Sequence, residues 1–343
     1  MGQIKILFAA DANDNSRFLT QKVVKELSQV SWIDLHVVGY HQFLPPDIHY
    51  DFNLQSNMDL FNRRTRVIKN NCISYEFELY SEYIKGLKPD LILSDFENLT
   101  VDRALANDFE IILLTNKMVN QNIVPVERRK LHIQKEMQNR LVRFFDKFYD
   151  YMGLLENGLI SHALIYTQFV DMYRFRQDPN ITYIRPYHKV VPGKNDKIVF
   201  AYKDLNPYID LVSRFRNNIL YTDTKIMIKS MDVYPLHHPS FYESLCGCKF
   251  LVTDGMEMAL SDAYYSGKYS IITNKFDDWH ARKFDAWKYQ AARASEVKYV
   301  GKHVQNYESL NLRDVELMKV EPEKGGAGSL TQFLENKYKS YLV

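Results

Sequence analysis

Short apolar runs recur along the whole chain, separated by amphipathic stretches of helical period. Chains patterned this way fold as βαβ units: parallel strands need a long crossover, usually a helix, and strands covered on both faces lose the polar alternation of a half-exposed sheet. The runs predict strands at Ile4–Ala9, Ile33–Val38, Leu91–Ser94, Ile111–Leu114, Leu159–Ile165 and Ile181–Ile184 in the first half. In the second half they predict Ile198–Tyr202, Ile219–Tyr221, Ile226–Ile228, Phe250–Thr253, Ser270–Thr273 and Val297–Val300. Between the first two runs Ser16 opens a helix, with Leu19, Val23 and Leu27 on one face.

The two series are separated by Arg185–Asp196, which carries two prolines, a glycine and no periodicity. At 343 residues the chain exceeds one comfortable core. The expectation is an α/β fold of two Rossmann-like domains, 1–186 and 197–325, joined by a linker at 187–196. Gly325-Gly326-Ala327-Gly328 then frees a terminal segment, 326–343, whose helix is predicted over Leu330–Tyr341 and is expected to pack back toward the first domain.

Hydrophobic residues make up 46% of the chain and charged residues 25%, which excludes disorder as the default. Lys plus Arg (44) nearly balances Asp plus Glu (42), so a polyanionic partner has to be argued from local clusters. Cys72, Cys246 and Cys248 make no disulfide framework and fit reduced thiols. No apolar run approaches the roughly 20 residues that span a bilayer. The opening run is too short for a signal-peptide core and ends in polar Asp11-Ala12-Asn13-Asp14, so a cytoplasmic protein is expected. The many Asn, Lys and Tyr residues suit an AT-rich genome such as a phage's, which would place the protein in a host's cytoplasm.

Doubly wound sheets bind ligands beyond the carboxyl ends of their strands. In Phe250–Lys268 an apolar strand ends at Thr253, Gly255 makes the turn, and a helix begins at once. Strand, glycine turn and helix together present free amides and a positive dipole end, which suits a diphosphate. The arrangement alone is common among α/β proteins.

The same segment resembles the donor-binding loop of the GT-B glycosyltransferases, T-[HDS]-G-G-x-x-x-x-S-E-A-x-x-x-G-K-P. Thr253, Asp254, Gly255, Ser261, Ala263, Gly267 and Lys268 match without a gap. Asp262 stands for the ribose-binding glutamate, Met256 for the second glycine and Tyr269 for the proline. Pro89-Asp90-Leu91-Ile92-Leu93-Ser94-Asp95-Phe96-Glu97, then Ile111 to Asn116, is similar to the P-D-L-V-I-S-D-F-E…N stretch of one branch of that superfamily, and Ile184-Arg185-Pro186 resembles that branch's end of the first domain. The branch's G-x-G-H-x-x-R loop corresponds to Asp11–Arg17, with Asp14 in place of the histidine and Arg17 kept. Its G-Q-x-E-Q motif falls on Asp277–Ala281, where the glutamate has become His280 and the glutamine Ala281.

The resemblance implies a GT-B fold and an inverting transfer from a nucleoside diphosphate sugar, UDP-sugar first, used as co-substrate without a permanent cofactor or a metal. Asp14, or else Asp11, is the candidate base, since the acceptor hydroxyl must lose its proton; turn and helix-cap roles remain open for both. Donor contacts are expected from Asp254, Gly255, Met256, Glu257 and Asp262, and from Asp278, His280 and Arg282 toward the sugar. His237 and His238 would face the nucleobase, and Arg17 and Lys203 would offset the leaving diphosphate. Asp95 and Glu97 are acceptor-side candidates or solvated strand ends. Arg63, Arg64 and Arg66, with Arg128 and Arg129, form basic clusters in the first half: either solvated helix faces or an acceptor surface for DNA bearing hydroxymethylated pyrimidines. A nucleotide-sugar 2-epimerase on the same fold and a non-catalytic nucleotide-sugar-binding module remain the rival readings, and oligomeric state is not legible.

Overall fold

The computed structural model describes residues 3–10, 14–39, 48–54, 72–95, 98–115, 155, 157–166, 180–184, 196–273, 301–304, 306–312, 316–321 and 329–338. The first sheet contains β1 (Ile4–Ala9), β2 (Ile33–Gly39), β3 (Phe52–Asn53), β4 (Leu91–Ser94), β5 (Ile111–Thr115), β6 (His162–Tyr166) and β7 (Ile181–Ile184), in the order β3-β2-β1-β4-β5-β6-β7. The second contains β8 (Val199–Tyr202), β9 (Ile219–Thr222), β10 (Asp232–Tyr234), β11 (Leu251–Thr253), β12 (Ser270–Thr273) and β13 (Gly301–Val304), in the order β10-β9-β8-β11-β12-β13. All pairings are parallel. In each sheet the winding direction reverses beside the first strand, between β1 and β4 and between β8 and β11. Among the described residues the α-helices are α1 (Asp14–Leu27), α2 (Cys72–Leu87), α3 (Asn98–Leu105), α4 (Ile209–Ser213), α5 (Phe241–Gly247), α6 (Glu257–Tyr265) and α7 (Leu330–Tyr338). None is long and apolar enough to cross a membrane.

Strands β4, β8, β9, β11 and β12 are buried along their whole length, the reason their sequences read as unbroken apolar runs. One apolar cluster covers one face of the first sheet (Leu7, Tyr80, Ile92, Val101) and another covers one face of the second (Phe200, Tyr202, Phe250, Ile271). The third cluster is shared: Phe8 and Leu93, the α1 stripe Leu19, Val23 and Leu27, Leu330 and Leu334 of α7, and Leu245, Ala259 and Leu260 of the second half belong to one buried set.

Ile226–Ile228 is not a strand. Ile226 and Ile228 pack partly buried against the second-half core while Met227 is 95% exposed, an in-out-in pattern that imitates a strand without a partner. The chain turns at Lys229–Ser230, Ser230 adopting φ 65, and pairs only afterwards, with Asp232 opposite Ile219 and Tyr234 opposite Tyr221. Val297–Val300 lies outside the described residues, and the last strand described is β13.

Helix α7 opens on a reciprocal cap: Ser329 N–H donates to Gln332 Oε1 (3.0 Å) and Gln332 N–H to Ser329 Oγ (3.3 Å). Glu26 of α1, a buried carboxylate, accepts from the Thr331 amide (2.8 Å) and hydroxyl (2.9 Å). At the other end Tyr338 Oη donates to Glu110 (2.9 Å) and Lys337 pairs with it at 2.7 Å, while the Phe333 ring lies 4.9 Å from that of His162. The terminal helix thus lies against elements of the first half.

Burial alone would raise the Glu110 pKa, but the bonds from Lys337, Ser161 and Tyr338, with the Lys337 charge, outweigh it and hold the carboxyl below its ordinary value. A depressed folded-state pKa contributes stability above the unfolded value that is lost as pH falls through the folded one. Glu110→Gln is therefore expected to lower the melting temperature at pH 7, with the gap from wild type closing as the pH drops from about 5 through the depressed value. A gap that is unchanged or widens on acidification would contradict the assignment.

Candidate active site

Strand β11 delivers Thr253 to the switch point of the second sheet, next to β8, with Thr253 opposite Ala201. Asp254 follows, buried, and Gly255 takes φ 96, a conformation that side chains rarely adopt. Met256 is the N-cap of α6 and supplies no side-chain hydrogen bond, so the amides of the first turn are not capped from within that residue. Thr253 Oγ1 and Ser261 Oγ are buried with no hydrogen-bond partner among the described residues, so unspent polar atoms flank this turn. The far end of α6 is closed by amides: Gly267 N–H donates to Tyr264 O (2.9 Å) and Lys268 N–H to Ala263 O (2.8 Å). Lys268, the motif's lysine, donates through Nζ to Cys248 O at 2.8 Å, which ties the turn after α6 to the strand edge before β11.

The other loops at this edge place Lys203, exposed, directly after β8, and His237 and His238 after β10. His237 lies 3.9 Å from Asp223, and its carbonyl accepts from Gln21 Nε2 at 2.7 Å. His238 is wired into a hydroxyl chain: its Nδ1 is 2.7 Å from Ser240 Oγ, which is 2.9 Å from Tyr221 Oη, itself 2.8 Å from Ser244 Oγ. The ring of Tyr234 lies 4.8 Å from that of His238 and 5.5 Å from that of Tyr221. Among the described residues no cluster of three or more His, Cys, Asp or Glu side chains could hold a metal ion.

In the first sheet the switch point brings together the ends of β1 and β4. The Asp95 amide donates to Ala9 O (2.9 Å), and the Asp95 side chain is buried, not a solvated strand end. Asp14 is the first residue of α1 and Arg17 lies in its first turn. Asp11, Glu97, Arg63, Arg64, Arg66, Arg128, Arg129, Asp278, His280 and Arg282 lie outside the described residues. Glu257 begins α6.

The contact that sequence reasoning missed joins the two halves. Lys22 of α1 forms an ion pair with Asp262 of α6, their side chains 12% and 1% exposed. Burial lowers the Lys22 pKa and raises that of Asp262, and the mutual attraction opposes each shift. Lys22 and Glu26 stand one helical turn apart, the spacing at which opposite charges on an exposed helix face pair with each other. Instead Glu26 is buried, Lys22 mostly so, and each reaches a different distant element, Thr331 and Asp262. Their adjacency to the Leu19, Val23, Leu27 stripe was the only local signal. Helix α1 therefore runs from the first sheet's switch-point loop past the His237 loop and α6 to α7.

Two doubly wound parallel sheets, joined through α1 and α7, make the GT-B architecture. Solved structures share it along nearly the whole chain. A calicheamicin glycosyltransferase, CalG4, is 12% identical over 89% of this chain and 86% of its own, with a TM-score of 0.56. The glycotransferase of kitacinnamycin is 11% identical over 90% and 88%, TM-score 0.55. The Streptomyces sp. SF2575 glycosyltransferase SsfS6, in its complex with thymidine diphosphate, is 12% identical over 92% of each chain, TM-score 0.55. At such identities the likeness is one of fold. No family model matches this chain, and no curated protein is similar to it in sequence.

Proposed function

We propose that this protein is a glycosyltransferase that moves a sugar from a nucleoside diphosphate sugar, with UDP-sugar the first candidate, to an acceptor hydroxyl with inversion. The observation that carries the reading is the β11–Gly255–α6 turn: a glycine at φ 96 and an uncapped helix start, at the second sheet's switch point. The similar fold of a glycosyltransferase crystallised with thymidine diphosphate supports it and adds TDP-sugars to the candidates.

In this reading residues 197–325 hold the donor and 1–186 the acceptor, in the cytoplasm. The diphosphate rests on the amides near Gly255 and Met256, close to Asp254 and Glu257, and the ribose hydroxyls donate to Asp262. His237 and His238 face the base, and Asp278, His280 and Arg282 face the sugar. The acceptor oxygen attacks the anomeric carbon from the side opposite the diphosphate. As that bond forms, the carbon–oxygen bond to phosphate breaks, its electron pair leaves on the diphosphate, and the acceptor proton passes to Asp14 or Asp11. Arg17 and Lys203 offset the departing charge. Asp95 and Glu97 orient the acceptor. The basic residues Arg63, Arg64, Arg66, Arg128 and Arg129 fit a polyanionic acceptor such as DNA carrying hydroxymethylated pyrimidines.

A thermal-shift panel of UDP- and TDP-sugars tests the reading, followed by mass spectrometry of hydroxyl acceptors and hydroxymethylated DNA incubated with each stabilising donor. The expected result is a raised melting temperature, transfer in the wild type, and retained donor binding with lost transfer in Asp14→Ala. Conversion of the donor sugar without any acceptor would instead identify an epimerase. Binding without transfer or conversion would identify a binding module, and no stabilisation by any nucleotide sugar would remove the donor site.

A further inference from the structure

The ion pair between Lys22 and Asp262 puts a cation and the proposed ribose-binding carboxylate in direct contact, shielded from water, between the two halves. Resting on the function proposed above, we propose that Lys22 is a diphosphate-binding residue that Asp262 holds in reserve. When the donor enters, the ribose hydroxyls become the hydrogen-bond donors to Asp262, and the Lys22 ammonium moves to the diphosphate.

Electrostatics motivates the exchange. Asp262 lies six residues beyond the N-cap Met256, about 9 Å along the helix axis, so its carboxylate stands within one nucleotide's length of the diphosphate position. Two anions so close in a site poor in water would repel strongly. A cation already lodged beside the carboxylate removes that penalty, and it offers the diphosphate a charge-assisted bond that a neutral side chain cannot supply.

The residue type and the burial agree with this role. A buried ion pair contributes little net stability, because desolvating both charges offsets most of their attraction; well-packed apolar residues would hold α1 against α6 at least as well. Lysine carries a compact charge on a flexible four-carbon stem, suited to changing partners, whereas arginine's planar fork favours one fixed bidentate pairing. The neighbouring contact is geometrically firm: Gln21, the residue before Lys22, is tied to the His237 carbonyl at 2.7 Å. Lys22 is thereby presented between the proposed base-binding loop and the donor helix.

The test compares nucleoside with nucleoside diphosphate, using uridine and UDP, and thymidine and TDP, by titration calorimetry and ligand-observed NMR. Lys22→Met is expected to reduce the affinity advantage of the diphosphate over its nucleoside by roughly ten-fold or more, the size of one charge-assisted hydrogen bond. Lys22→Arg keeps most of that advantage. Lys22→Met combined with Asp262→Asn removes both charges of the pair, so it covers the case in which the single variant folds poorly, and it is expected to show the same loss. An advantage unchanged in both Met variants would overturn the proposal and leave Lys22 a purely structural partner of Asp262. Wild-type protein that binds neither UDP nor TDP would overturn the proposed function, and this inference with it, which is a distinguishable failure.

Discussion

Gly255→Val is expected to abolish measurable binding of UDP and TDP while the protein still folds. Gly255 has φ 96 and is buried between the end of β11 and the start of α6. A β-branched residue is excluded from that region of backbone space, so the turn must rearrange at a cost of about 1–3 kcal/mol. The rearrangement moves the first-turn amides of α6, and losing two charge-assisted hydrogen bonds of about 1.5–3 kcal/mol each weakens binding by at least ~100-fold. The control lies just beyond the other end of the same helix. Gly267 has φ 69, and an added Cβ would sit 3.3 Å from the Val320 carbonyl oxygen, so Gly267→Ala is also strained. It is at the opposite end of α6 from the amides, however, and should lower the melting temperature while leaving the dissociation constant within about three-fold, below 1 kcal/mol. If Gly255→Val binds as wild type does, or Gly267→Ala loses affinity to the same extent, the diphosphate does not rest on this turn.

How much of this was legible from the residues depends on the range of each interaction. β1, β4, β7 and β12 begin and end where the apolar runs do, and β8, β9 and β11 differ from their runs by one residue each, because most positions of these parallel strands are buried. The turn at Thr253–Met256 was readable for the same local reason: strand end, glycine and helix start are contiguous in sequence. Ile226–Ile228 failed because burial without a ladder partner gives the same alternation as a strand, and only the φ 65 turn at Ser230 separates them. β3 has two residues, too few for any period. Lys22 was invisible as a site residue because its partner lies 240 positions away, and nothing in the spacing of α1 distinguishes a lysine in solvent from one aimed at another sheet's helix.

The Lys22–Asp262 pair also gives the largest stability effect expected here. Lys22→Met alone leaves the 1%-exposed carboxylate without its cation, and breaking a buried pair from one side typically costs about 3–5 kcal/mol. Adding Asp262→Asn should recover at least half of that loss, because the double variant removes the stranded carboxylate. Urea unfolding of the four proteins gives the cycle. The pH dependence supplies an independent check on the cause. Burial raises the Asp262 pKa, and in Lys22→Met the Lys22 charge no longer opposes the shift. A carboxyl whose folded-state pKa exceeds its unfolded value binds its proton more tightly when folded, so stability rises as the pH falls through the folded-state pKa toward the unfolded one. Lys22→Met should therefore regain stability relative to the double variant, which carries neither group, as the pH falls from about pH 7 to pH 5. A single variant that stays equally unstable at both pH values would mean that lost packing of the lysine stem, not a stranded charge, is responsible. If the double variant is nearly as stable as wild type yet lacks the diphosphate's affinity advantage, the pair contributes to binding what it does not contribute to folding, and a charged contact between the halves has a reason to be there that apolar packing would not supply.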